Sequence, residues 1–169
     1  GAAGLIRASA RKPVVARAAD FHIDRAGVWR HRGSVVQREA MVRLFASMLE
    51  RRGGHYVLVT PEQTLRVDVD DAPFVIVDME NNEGGDAPTL VMLTNVGERF
   101  ALGHDHPLYL HEDVERGEVR AYQMVRDRIP ALVHRNVFYR LVELAQANED
   151  GVLGVLSSDC FFPLEISSS

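Results

Sequence analysis

Phe21 and Ile23 alternate with His22 and Asp24, the chain turns at Asp24-Arg25-Ala26-Gly27, and Val28 to Arg32 alternates again. A period of two puts successive side chains on opposite faces of a strand, so this stretch predicts a hairpin. Trp29 and His31 then share one face, with Arg30 and Arg32 on the other. The period changes after Gly33. Ser34 and Gln37 have capping-box spacing, and Met41, Leu44, Phe45, Met48 and Leu49 recur every three or four residues. That pattern predicts an amphipathic helix stopped by Gly53-Gly54. Tyr56 and Leu58, then Leu65, Val67 and Val69 beyond the Pro61 turn, form a second alternating hairpin. Residues 20–70 thus read as strand-strand-helix-strand-strand.

Asp71-Ala72-Pro73 punctuates the chain. The runs FVIVDM, TLVMLTNV and RFALG follow as a strand meander, separated by NNEGGDAP and by Gly97. Leu108 to Val125 supplies two further strands. Pro130 is expected to open a helical turn, and Val137, Phe138, Leu141, Leu144 and Ala145 mark a second amphipathic helix stopped by Gly151. VLGVL closes the chain as a strand. The expected class is α+β, with mostly antiparallel strands and one main helix in each of two subdomains. The expected divisions are an arm at 1–19, an N-terminal subdomain at 20–71 and a C-terminal subdomain at 72–169.

The two helices also resemble each other. At one fixed spacing Val36 matches Val133, Arg38 matches Arg135, Arg43 matches Arg140, Leu44 matches Leu141 and Gly54 matches Gly151. This predicts a duplicated helix-strand unit.

Composition narrows the function classes. The net charge is −5, which argues against a nucleic-acid polymer as partner. Arg7, Arg11, Lys12 and Arg17 lie in the first 19 residues without an acid, an alanine-rich stretch expected to be a poorly ordered terminus. No apolar run is long enough to span a membrane. A single cysteine, Cys160, excludes a disulfide framework and suggests a reducing, cytoplasmic setting.

Candidate chemistry gathers at the helix starts. Trp29, His31, Ser34 and Arg38 surround the first, where free amides and the helix dipole favour an anion and arginine can grip phosphate with two parallel hydrogen bonds. Tyr122, Arg126 and Arg135 surround the second. The competing explanation at both places is plain packing and solvated ion pairs. His104, His106, His111 and Glu112 mimic a cupin metal set, but the spacings are wrong and Pro107 interrupts the strand. No metal site, cofactor or catalytic residue is assigned, and no nucleophile stands in sequence with a base.

The segments FHIDRAGVWRHRGSVVQREAMVRLFASML, YVLVTPEQTLRVDVDDAPF, TNVGE and AYQMVRDR with HRNVFYRLVELA resemble the DUF1285 family, bacterial proteins of unknown function. The resemblance implies a duplicated core and a C-terminal half superficially like a pleckstrin-homology fold. It also implies a site between the halves for a nucleotide-type ligand and a role in signalling. It carries over onto Trp29, His31, Gly33, Ser34, Arg38, Thr60, Pro61, Asp71, Pro73, Phe74, Thr94, Asn95, Arg126 and Arg135. Val35 and Asn136 stand where that family often has proline. The expectation is a non-enzymatic module for a small anionic, nucleotide-type ligand. The alternatives are a metal-dependent cupin-like enzyme using the three histidines, or a protein-interaction domain.

Overall fold

The structure is a computed structural model in which residues 19–166 are described; the predicted arm at 1–19 falls almost wholly outside them. The chain divides into two compact units. Of the described residues, the N-terminal unit comprises 19–23 and 28–69, and the C-terminal unit comprises 24–27 and 70–166.

In the N-terminal unit, β1 (Phe21–Ile23), β2 (Trp29–His31) and β3 (Ser34–Val35) form one meander. Helix α1 (Glu39–Ser47) follows, and β4 (Leu49–Arg52), β5 (His55–Val59) and β6 (Thr64–Val69) form a second. The six strands make one sheet in the order β3-β2-β1-β6-β5-β4. Its middle pair, β1 and β6, is parallel, with Phe21 opposite Val67 and Ile23 opposite Val69. The alternating apolar residues face inward as expected: Phe21, Ile23, Trp29, Leu58 and Val67 are buried.

The C-terminal unit repeats this sheet. Strands β7 (Phe74–Asn82), β8 (Thr89–Thr94) and β9 (Arg99–Ala101) form one meander, and β10 (Leu108–Asp113), β11 (Glu118–Arg126) and β12 (Ile129–Val133) form another. The order is β9-β8-β7-β12-β11-β10, and the middle pair, β7 and β12, is again parallel. Helix α2 (Arg135–Leu144) then leads to a three-stranded sheet of β13 (Gln146–Ala147), β14 (Leu153–Ser157) and β15 (Cys160–Pro163). Ser157 fastens this small sheet to the large one: its buried hydroxyl accepts from the Leu90 amide at 2.8 Å and donates to the Leu102 carbonyl at 2.6 Å.

The duplication is larger than a helix and one strand. The spacing that aligns the helical residues lays α1 on α2 and the meander β4-β5-β6 on β13-β14-β15. In the N-terminal unit that meander joins the large sheet through β6; in the C-terminal unit it forms its own sheet and β7 pairs with β12 instead.

Several local expectations are corrected. Both helices are shorter than predicted. Leu49 belongs to β4 rather than α1, because its burial comes from pairing opposite Leu58. Leu44, expected on the apolar face, is half exposed. Pro130 does not open a helix; it lies in β12 opposite Met124. The strands are mostly antiparallel, as expected; the one parallel pair in each large sheet is an addition, because strand order sets direction and local alternation does not report it. Arg140 of α2 fastens the helix to β7, donating to Asp78 Oδ1 at 2.6 Å and to the Met79 carbonyl at 2.8 Å. That hydrogen bond, followed by the Met79 amide, holds the Asp78 carboxyl below its ordinary range. Among the described residues no helix is long and apolar enough to cross a membrane.

The β14–β15 hairpin turns through Ser158 and Asp159, both with positive φ (52° and 62°). A two-residue turn of this hand favours glycine at its second position, where a side chain crowds the backbone. Replacing exposed Asp159 by glycine should raise the free energy of unfolding by about 1 kcal/mol. Urea denaturation with unchanged slope checks this.

Candidate functional site

The residues expected around the first helix start have separate duties. Trp29 is only 1% exposed and packs against Phe21 and Phe45, with ring centroids 6.4 and 6.1 Å away. Its ring is core, although the buried indole Nε1 has no hydrogen-bond partner among the described residues. His31 is exposed and stacks on Phe21 at 4.6 Å. Ser34 does not cap α1. It pairs with His31 in β3, so the helix starts later and Arg38 becomes the N-cap without a side-chain cap bond. Thr60 closes the turn before β6, its hydroxyl accepting from the Gln63 amide at 3.0 Å.

In the C-terminal unit, Thr94 is buried, and its hydroxyl accepts from the amides of Val96 and Glu98 across the β8–β9 turn. Asn95 accepts from the Val75 amide at 3.0 Å and donates to the Gly27 carbonyl at 3.2 Å. Both residues shape backbone. Arg126 lies over the Phe74 ring at 5.2 Å. His104 and His106 lie in a bend before β10, while His111 stands exposed on that strand. His106 packs against Phe100 at 4.8 Å and approaches the Met124 carbonyl at 3.3 Å. Among the described residues no three His, Cys, Asp or Glu side chains are grouped to hold a metal.

Arg135 lies elsewhere, on a groove of about 360 Å³ in the C-terminal unit. One wall is the start of β11, from Glu118 to Ala121; the other is the first turns of α2, with Arg135, Phe138 and Tyr139; Leu132 and Val133 lie between. Unequal strand lengths open it. β11 has nine residues and β12 has five. The β11–β12 ladder runs only from Tyr122 opposite Leu132 to Arg126 opposite Ile129. After the His134 amide makes a last bond to the Ile76 carbonyl of β7, the chain turns into α2: the His134 carbonyl accepts from the Val137 and Phe138 amides, and the imidazole Nδ1 accepts from the Asn136 amide at 3.1 Å to cap the helix. Tyr139 is 57% exposed.

Behind the β11 wall runs a chain of polar contacts that joins Tyr122 and Asp71 to Arg120 and Glu118, the last two without a signal in the sequence. Tyr122 donates to Asp71 at 2.8 and 3.1 Å to its two carboxylate oxygens. Arg120, on the same strand face, sits 3.9 Å from Asp71 and donates to Glu118 at 2.9 Å. Arg120 is therefore flanked by two acids. Arg135 has no ion-pair partner among the described residues, which makes it the groove's available cation.

Sequence and structure comparisons place the chain. The DUF1285 N-terminal domain, a domain of unknown function, matches residues 9–72, and the DUF1285 C-terminal domain matches residues 73–164. The chain belongs to the DUF1285 family. A crystal structure of a DUF1285 family protein from Silicibacter pomeroyi DSS-3 aligns with a TM-score of 0.78 at 39% identity, covering 95% of this chain and 94% of that one. A second DUF1285 family protein, from Shewanella baltica OS155, aligns with a TM-score of 0.59 at 26% identity, covering 74% of this chain and 91% of that one. No curated protein matches.

In this DUF1285 protein Tyr122 is an anchor, not a proton shuttle. Burial first, and the hydrogen bond to Asp71 second, push its phenol up to about 12. Arg120 is pushed up by its hydrogen bonds to Tyr122 and Glu118 and stays cationic. Between about pH 10, where an ordinary tyrosine ionises, and about 12 the folded protein keeps a proton that the unfolded chain has lost. Stability should therefore fall as pH rises through that interval. Ultraviolet titration should show a tyrosine component that ionises near pH 12. Tyr122→Phe should remove that component and cost about 1–2 kcal/mol at neutral pH.

Proposed function

We propose that this chain is a non-enzymatic binding module whose groove between β11 and α2 holds a small anionic ligand. The observation that carries this reading is Arg135: an exposed cation without an acid partner among the described residues, in a groove that also presents Phe138 and half-exposed Tyr139. Arginine supplies a bidentate contact to a carboxylate or phosphate, and the aromatic side chains supply apolar surface for a flat body. One available cation suits a single charged group, so a nucleotide-type ligand here would be a monophosphate. The lining residues include no nucleophile paired with a base, which favours binding over catalysis. A cytoplasmic setting and a signalling role complete the proposal; the lone cysteine and acidic net charge suit a reducing compartment and a partner other than nucleic acid.

Thermal-shift titration with phenyl phosphate, benzoate and adenosine monophosphate tests the reading. A ligand at about 100 times its dissociation constant adds roughly 2.7 kcal/mol of stability. Arg135→Ala should leave the unliganded melting temperature nearly unchanged and weaken binding by about 1.5–3 kcal/mol. Equal binding by wild type and Arg135→Ala, or no shift with any probe at millimolar concentration, contradicts it.

A further inference from the structure

The β11 wall offers backbone as well as side chains. The Met124 amide bonds to the Pro107 carbonyl, on the β10 side of the strand. Backbone groups alternate sides along an antiparallel strand, and no irregularity interrupts β11 between residues 118 and 124. Arg120 therefore turns its N–H and C=O toward β10, where it stands opposite His111. Val119 turns its own N–H and C=O the other way, into the groove. On that side the ladder with β12 has already ended at Tyr122, and no described strand pairs with Val119. The side chain of Val119 is 47% exposed.

An open strand edge, an apolar helix wall and an unpaired cation occur together here. An edge of this kind is completed by an extended chain, whose main-chain groups pair with it while its side chains enter flanking pockets. We propose that the occupant is an extended peptide segment carrying a carboxylate. It adds as a short strand beside residues 118–120, before Val133 takes the place next to Ala121, puts an apolar side chain against Phe138 and Tyr139, and sets its carboxylate on Arg135. Charge complementarity fixes the acidic character, because Arg120 is already flanked by Asp71 and Glu118 while Arg135 has no acid partner among the described residues. Three edge residues correspond to roughly 10 Å of extended chain, so about three peptide residues suffice. This inference rests on the reading of the groove as an anion site and names the ligand class.

The test is a titration of isotope-labelled full chain, followed by amide chemical shifts. The probes are a pool of acetylated tetrapeptides with a free C-terminal carboxylate, the same pool with N-methylated peptide bonds, and phenyl phosphate. The peptide pool should shift the amides of Val119 and of residues 135–139, and the N-methylated pool should not. Val119→Pro separates edge from fold: it deletes only the groove-facing donor, leaves the β10 ladder intact, and proline is tolerated at such a position. That variant should keep the wild-type spectrum elsewhere, lose peptide binding at least about tenfold and still bind phenyl phosphate. Arg135→Ala should lose both. Undiminished binding of the methylated pool, or of the unmethylated pool by Val119→Pro, overturns the peptide inference. So does binding of phenyl phosphate with no response to peptides, which leaves the anion-site reading standing. No groove response to any probe overturns both.

Discussion

The site depends on one mismatch, a nine-residue β11 beside a five-residue β12. β12 is held on both edges, parallel to β7 and antiparallel to β11. It does not extend past Val133, because the His134 carbonyl accepts from the Val137 and Phe138 amides to start α2 and its imidazole caps the helix. Where β12 stops, β11 continues alone, α2 rises beside it, and the groove is the space between. The Asp71–Tyr122–Arg120–Glu118 chain stiffens the wall thus left unpaired.

The duplication explains why a helix starts there at all. Each helix begins just after a three-stranded meander and leads into another. The copies diverge where the second meander goes: in the N-terminal unit it completes the large sheet, and in the C-terminal unit it forms a separate sheet fastened through Ser157. Arg140, the counterpart of Arg43, shows the consequence. Arg43 faces Glu39 of its own helix at 3.8 Å, whereas Arg140 reaches across to Asp78 and the Met79 carbonyl and holds α2 to the sheet.

Much of the fold was legible because alternation is local. Leu65, Val67 and Val69, or Phe74 to Met79, announce strands without reference to partners. Helix ends were less legible: Leu49 keeps helical spacing, yet its burial comes from pairing with β5. The parallel centre of each sheet was invisible, since Phe21 meets Val67 across most of a unit. At the candidate site the sequence exposed Arg135 but not the groove. Trp29 drew attention as an aromatic beside arginines and proved to be core. Thr94 and Asn95 carried a family motif and serve turns and backbone. Val119 gave no signal, because its importance lies in the absence of a strand beside it.

Amide hydrogen exchange resolved at single residues reads directly whether the β11 edge is open. Arg120, turned toward β10 opposite His111, should be protected by ladder pairing, while the neighbouring Val119 amide exchanges quickly because it opens onto the groove. A Val119 amide as protected as that of Arg120 would mean that the edge is closed in the free protein and that no added strand can pair with it.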